Sequence, residues 1–153
     1  KAPGSLKTRI LKRGKATGPL WGGNMTLLIN RLGTDHPLNT KGSILFLEDI
    51  DEYLYSFERM LIQMKVAGMF EKINGLIIGE LEDMKDQEIN FGRSTDQIVL
   101  DICGDLDIPI ISNFPCGHGK YQATLPLSLN AEIDTSNKEA MVTILDSAVD
   151  LKA

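Results

Sequence analysis

The chain alternates between two spacings of hydrophobic and polar positions. Residues 43–49 (SILFLED) and 75–80 (GLIIGE) are compact apolar runs of the kind that form strands buried on both faces. Residues 109–115 (PIISNFP) are a third. Between them the period lengthens. Leu54, Phe57, Leu61 and Met64 step by three and four, which predicts a helix over about 51–67, with Gly68 as its stop. Ile98, Val99, Ile102, Cys103 and Leu106 predict another over about 95–105, capped by Ser94 or Thr95. Asn24 reads as the N-cap of a helix over 25–32 that ends at Gly33. Residues 6–13 alternate as a short charged edge strand, and residues 14–24 are glycine-rich and read as irregular. Residues 34–42 read as a loop, and 81–93 as a loop or hairpin. Residues 125–133 and 140–145 alternate around a turn at 134–138, which suggests antiparallel strands. The order is βαβαβ followed by a hairpin. It predicts an α/β fold: a parallel sheet with βαβ crossovers, plus a smaller antiparallel sheet.

Composition narrows the class. A chain of 153 residues fits one domain, and 42% hydrophobic with 24% charged residues excludes disorder and a collagen-like repeat. No run approaches the roughly 20 apolar residues of a membrane span, so no membrane association is expected. Residues 1–15 contain no apolar core of a signal peptide. The first residue is Lys1, so a piece of a longer protein is expected, with residues 1–6 as a linker and 7–153 as the domain. The net charge of -5 argues against a nucleic-acid partner. Its distribution is uneven: residues 1–34 hold seven basic groups and no acid, while the remainder holds 9 basic and 21 acidic groups. That basic head reads as a linker and edge strand, or as a binding arm. Cys103 and Cys116 form neither a C-x-x-C pair nor a zinc set, which fits a reduced, cytoplasmic setting.

Few residues can act as a base at neutral pH. Of two histidines, His118 stands in F-P-C-G-H-G, directly after a predicted buried strand. Loops after strand carboxyl ends are where open α/β sheets place ligands. Glu48 leaves the end of another strand, and from a neighbouring strand it could converge with His118 and fix its tautomer. Asp49 fits a cap on the following helix. His36 has no glycine frame and reads as a surface residue. No serine lies in a G-x-S-x-G elbow, and Ser94 reads as a helix cap. Cys116 reads as a buried small hydrophobe in preference to a nucleophile. Gly18-Pro19-Leu20-Trp21-Gly22-Gly23-Asn24 precedes a helix, where backbone N–H groups can bind an anion or pack closely. Trp21 reads as core or as a stacking platform.

Taken together the motifs resemble one family. G-P-L-W-G-G-N-M-T-L-L, L-G-T, G-S-I-L-F-L-E-D-I-D-E-Y-L-Y-S-F-E-R-M-L-I-Q-M, A-G, G-L-I-I-G-E, F-P-C-G-H-G and L-P-L follow in order over roughly residues 7–135. This series is similar to the C-terminal domain of the LD-carboxypeptidases, the S66 serine peptidase family, which holds muramoyltetrapeptide carboxypeptidases and related microcin-immunity peptidases. The chain departs at Cys116, where the family is usually apolar, and at Glu58-Arg59, where Asp-Arg is frequent.

The resemblance implies a swivelling β/β/α domain. It implies Glu48 and His118 as two members of a Ser-Glu-His triad whose serine lies in a separate N-terminal domain of the same protein. It also implies metal-free, cofactor-free hydrolysis of the L,D-peptide bond before the terminal D-alanine of murein tetrapeptide, during cytoplasmic cell-wall recycling. Trp21, Gly22, Gly23 and Asn24 are expected to bind substrate. A homodimer is a further expectation, and the chain alone is expected to be inactive. Three alternatives stay open: a non-catalytic binding module of the same fold, a peptidase for peptidyl-nucleotide antibiotics, and a Cys116/His118 hydrolase.

Overall fold

A computed structural model describes residues 7–147. The expected linker at 1–6 lies outside them. Seven strands and three helices follow in the order β1 (Arg9–Lys12), β2 (Lys15–Asn24), α1 (Met25–Asn30), β3 (Ile44–Ile50), α2 (Leu54–Val66), β4 (Gly75–Glu82), α3 (Thr95–Cys103), β5 (Ile110–Gly117), β6 (Asn130–Asp134) and β7 (Met141–Ile144). The strands lie side by side as β1-β5-β4-β3-β2-β6-β7. β2, β3, β4 and β5 run parallel, while β1, β6 and β7 pair antiparallel with their neighbours. The α/β class and the parallel-plus-antiparallel reading hold. Among the described residues no helix is long and apolar enough to cross a membrane.

Residues 14–24 are not irregular: all but Gly14 form β2, the longest strand. Its first half, Lys15 to Pro19, pairs with β6, and its second half, Leu20 to Asn24, pairs with β3. The glycines serve close packing. A Cβ at Gly18 would strike the backbone of Gly42, and one at Gly22 would strike the backbone of Phe46. The chain therefore has three βαβ crossovers, one more than the sequence pattern suggested. The 125–133 strand is also shorter than expected and starts at Asn130.

Alternation along the strands builds two apolar layers. Leu45, Leu47, Leu76, Ile78 and Ile110 face the helices and pack on Met25, Phe57, Leu61, Met64, Ile98, Val99 and Ile102. Ile44, Ile77, Ile111 and Leu20 face the other way and pack on Ala131 and Ile133 of β6. Three crossovers of one hand, between strands laid in sequence, put all three helices on one face. α3 is held at its start by a reciprocal cap between Ser94 and Gln97.

Four basic residues of the head are engaged within the fold. Arg9 pairs with Asp96 at 2.6 Å, and Lys15 lies 3.0 Å from Glu132 and 3.3 Å from Asp134 across the β2–β6 pair. Lys12 donates to the carbonyls of Gly104 and Leu106 beyond the end of α3, and Arg13 donates to those of Thr135 and Asn137. These contacts match the edge-strand reading and not the binding arm.

Candidate active site

The carboxyl ends of β3, β4 and β5 meet at one edge of the sheet, and the pairing there is irregular. The register shifts between Leu47 and Asp49 on β3, and twice between Ile77 and Glu80 on β4. Bulges of this kind re-aim side chains. Glu48 leaves β3 with its side chain 8% exposed, and its Oε2 lies 2.7 Å from Nδ1 of His118, whose side chain is 48% exposed. With Nδ1–H donating to the carboxylate, Nε2 keeps the lone pair and is the nitrogen left for other work.

Glu48 and His118 do not come from adjacent strands, as the sequence suggested. β4 runs between them, and they converge over Gly79. A Cβ at Gly79 would sit 2.9 Å from the Cys116 Sγ and 3.1 Å from the Glu48 Cβ. Gly117, at φ 118°, is the second glycine the pair requires, since a Cβ there would come within 3.0 Å of both Cβ and Oε2 of Glu48. Neither glycine stood out as a site residue in the sequence. The sequence does hold a signal for Gly79: a glycine inside a compact apolar strand marks a close approach.

Asp49 is a cap, but of the preceding helix. Its carboxylate accepts from Asn24 Nδ2 at 3.0 Å and from the backbone N and Oγ1 of Thr26, each at 3.1 Å, at the start of α1. The parallel pairing of β2 and β3 brings it there, and α2 starts without a side-chain cap. Asn24 is the N-cap of α1, its Oδ1 accepting from Leu27 N at 3.2 Å. Of the other residues expected to bind substrate, Gly22 packs on Phe46, Gly23 has open space where a Cβ would stand, and Trp21 is half-buried. His36 stands on an exposed turn, where its carbonyl accepts from Arg31. Glu58 pairs with Arg93 at 2.6 Å, and Arg59 lies over the Tyr55 ring.

Cys116 is buried. Burial, and then the charges of Glu48 and Glu80, push its thiol up to about 12; burial likewise pushes Cys103 up to about 12. A thiol held protonated is a poor nucleophile at neutral pH. Both cysteines are therefore expected to resist iodoacetamide in the native protein at pH 7.5 and to react fully in urea. Rapid native labelling of Cys116, read by mass spectrometry, would reinstate the cysteine hydrolase.

Glu80, on β4, was not singled out in the sequence. It is 1% exposed, and among the described residues neither carboxyl oxygen has a hydrogen-bond partner. Burial first, and then the Glu82 charge, raise its pKa. A raised value in the fold means the native state keeps a proton that the unfolded chain gives up. Stability from this group is complete below the ordinary carboxyl pKa of 4.5 and is lost as pH rises through the folded value. Glu80→Gln is thus expected to raise the urea midpoint at pH 8 and to do so less at pH 4. Equal shifts at both pH values would clear the carboxyl of that role.

Among the described residues no group of three or more His, Cys, Asp or Glu side chains is placed to hold a metal ion. A cavity of about 270 Å³ lies at the opposite, amino end of the sheet, lined by residues including Leu38, Thr40 and Met69, and none of the dyad residues borders it.

The polar pair at the ends of parallel strands defines an α/β domain with its candidate site at the strand carboxyl ends, and comparison with known proteins makes the relation specific. Residues 17–133 match the LD-carboxypeptidase C-terminal domain, and the chain belongs to that family. It is 33% identical over 129 residues to a probable murein peptide carboxypeptidase of Bacillus subtilis, covering 84% of this chain and 40% of that protein. It is 30% identical over 133 residues to the microcin self-immunity protein MccF of Escherichia coli, covering 85% and 38%. The crystal structure of a muramoyltetrapeptide carboxypeptidase from Oxalobacter formigenes superposes with a TM-score of 0.81 at 31% identity, over 92% of this chain and 50% of that one. The chain thus spans about 40% of the length of the Bacillus relative.

Proposed function

We propose that the chain is the C-terminal catalytic half of a serine carboxypeptidase acting on murein tetrapeptide, cutting the L,D-peptide bond before the terminal D-alanine. The observation that carries this reading is the 2.7 Å contact between His118 Nδ1 and Glu48 Oε2 at an open sheet edge, in a sequence without an elbow serine. An N-terminal domain of the same protein would present the serine hydroxyl to Nε2.

The steps follow from that geometry. Nε2 takes the hydroxyl proton as the serine oxygen attacks the carbonyl carbon, and Glu48 stabilises the imidazolium. The imidazolium returns the proton to the amine of D-alanine as the peptide bond breaks. Water, deprotonated by the same nitrogen, then attacks the acyl carbon, and the imidazolium returns that proton to the serine oxygen as the acyl–serine bond breaks. No step calls on a metal or a cofactor. Gly23, one residue before the strand partner of Glu48, has open space where a Cβ would stand and offers room for a substrate backbone. The same reading places the reaction in cytoplasmic cell-wall recycling, with homodimer formation as an accompanying proposal.

The test compares this chain with the longer protein that carries it, both supplied with murein tetrapeptide. D-alanine release by the longer protein alone is the expected result. Robust release by the chain alone would sink the split triad. Release only from a peptidyl-nucleotide would move the substrate to the class named for the microcin relative, and a gene with no upstream serine domain would leave a binding module.

A further inference from the structure

The loop that carries His118 rests on a group the proposed reaction does not use. β5 ends at Gly117, and two residues later Gly119 passes directly over Glu80. A Cβ at Gly119 would occupy the place of the Glu80 carboxyl oxygen Oε2. The loop is otherwise tied at its far side, where Gln122 Nε2 donates to the Gly119 carbonyl at 2.6 Å and Ala123 N donates to Pro115 O at 2.6 Å. Beneath it the backbone of Gly117 lies opposite Glu80 in the strand register. The Glu80 side chain thus fills the space under the Gly117–Gly119 segment while Glu48 holds the ring from the side.

We infer that Glu80 is a positioning residue: its buried carboxyl is the floor on which the Gly117–His118–Gly119 segment is seated, so that Nδ1 of His118 meets Glu48. The inference takes its interest from the catalytic reading above, yet it concerns only the shape of this chain. Three features support it. The carboxyl is buried and has no partner, so its place in the strand is not explained by any hydrogen bond or ion pair. Its contact is with the one residue type that leaves room for it. The environment favours the neutral acid, which an amide of the same shape can replace. A buried carboxyl without a partner is costly, and a residue tolerated at such cost at a sheet edge points to a need for its volume there.

The test uses this chain and reads the ring of His118 directly. The protein has two histidines, and exposed His36 serves as an internal reference in nitrogen-15 NMR of the imidazoles. In the wild type, the neutral His118 ring is expected to show the Nδ1–H tautomer held by Glu48, distinct from His36. Glu80→Gln should preserve that signature. Glu80→Ala should remove the floor and Gly119→Ala should lift the loop, and each should drive His118 toward the pattern of His36. The double variant Glu80→Ala/Gly119→Ala should lie closer to wild type than either single change, because the added methyl enters the space the carboxyl left.

An unchanged His118 signature in folded Glu80→Ala would overturn the inference, and so would single effects that simply add in the double variant. Should Glu80→Ala fail to fold, Gly119→Ala against Glu80→Gln still decides: an unmoved ring in the first, or a displaced ring in the second, overturns it. Loss of the catalytic reading, seen as absence of D-alanine release, would leave these spectra unaltered.

Discussion

On the proposed split triad, Glu48→Gln in a protein that joins this chain to a serine-bearing domain is expected to lower kcat for D-alanine release by about 10⁴-fold with little change in KM. Glutamine keeps the length and shape of the side chain, so the packing around Gly79 and Gly117 survives. What it removes is the charge that stabilises the imidazolium, and the acceptor-only group that selects Nδ1–H. The amide can present its N–H₂ to Nδ1, and then the proton moves to Nε2, the nitrogen the serine needs bare. Because the defect arises in the transition state, it appears in kcat and kcat/KM alike. A fall of less than tenfold, measured by steady-state D-alanine release, would remove Glu48 from the base system and leave His118 to act through some other partner.

Phe57→Ala is expected to cost about 3–5 kcal/mol of unfolding free energy. The ring lies on α2 with no exposed surface, among the side chains that join the helices to β3 and β4. Removing it leaves a cavity that rigid strands cannot close. Since a whole domain is stable by only about 5–15 kcal/mol, one such change consumes a large part of the total. Urea unfolding followed by circular dichroism reads the effect as a lower midpoint at constant slope. A loss below about 1 kcal/mol would mean the helix layer repacks, contrary to the close packing described. The exposed Arg9–Asp96 pair offers a control, since surface ion pairs are worth about 0–1 kcal/mol.

What could be read in the sequence followed from how local each signal was. α2 and α3 announce themselves by apolar spacing, and β3 and β4 by compact apolar runs, because each pattern is written within a dozen residues. β2 was misread since its glycines look like loop residues locally. Their reason, close approach to the backbones of Gly42 and Phe46, lies on another part of the chain. Asp49 was assigned to the wrong helix for a related cause: proximity in sequence favoured α2, while the parallel pairing with β2 delivers the carboxylate to α1. The strand-end positions of Glu48 and His118 were legible, but not that β4 separates them or that Gly79 lets them meet. Glu80 carried no sign at all, because a glutamate at the end of a buried run looks like the start of a polar loop.

The order of the strands has a consequence for how the protein comes into being on the ribosome. β1 and the first half of β2 are made well before their partners, Ile110–Ser112 of β5 and Asn130–Asp134 of β6. For the time it takes to synthesise about a hundred further residues, two strands with open edges wait without neighbours, a state prone to pairing with other chains. Charge guards that interval. Arg9, Lys12, Arg13 and Lys15 repel like segments on other nascent chains while the acids that will pair with Arg9 and Lys15 have yet to be made. The carboxylates that finally accept Arg9 and Lys15, on Asp96, Glu132 and Asp134, arrive only with the strands and helix that complete the sheet. Arg9 and Lys15 thus guard open strand edges during synthesis and end as ion pairs in the finished fold.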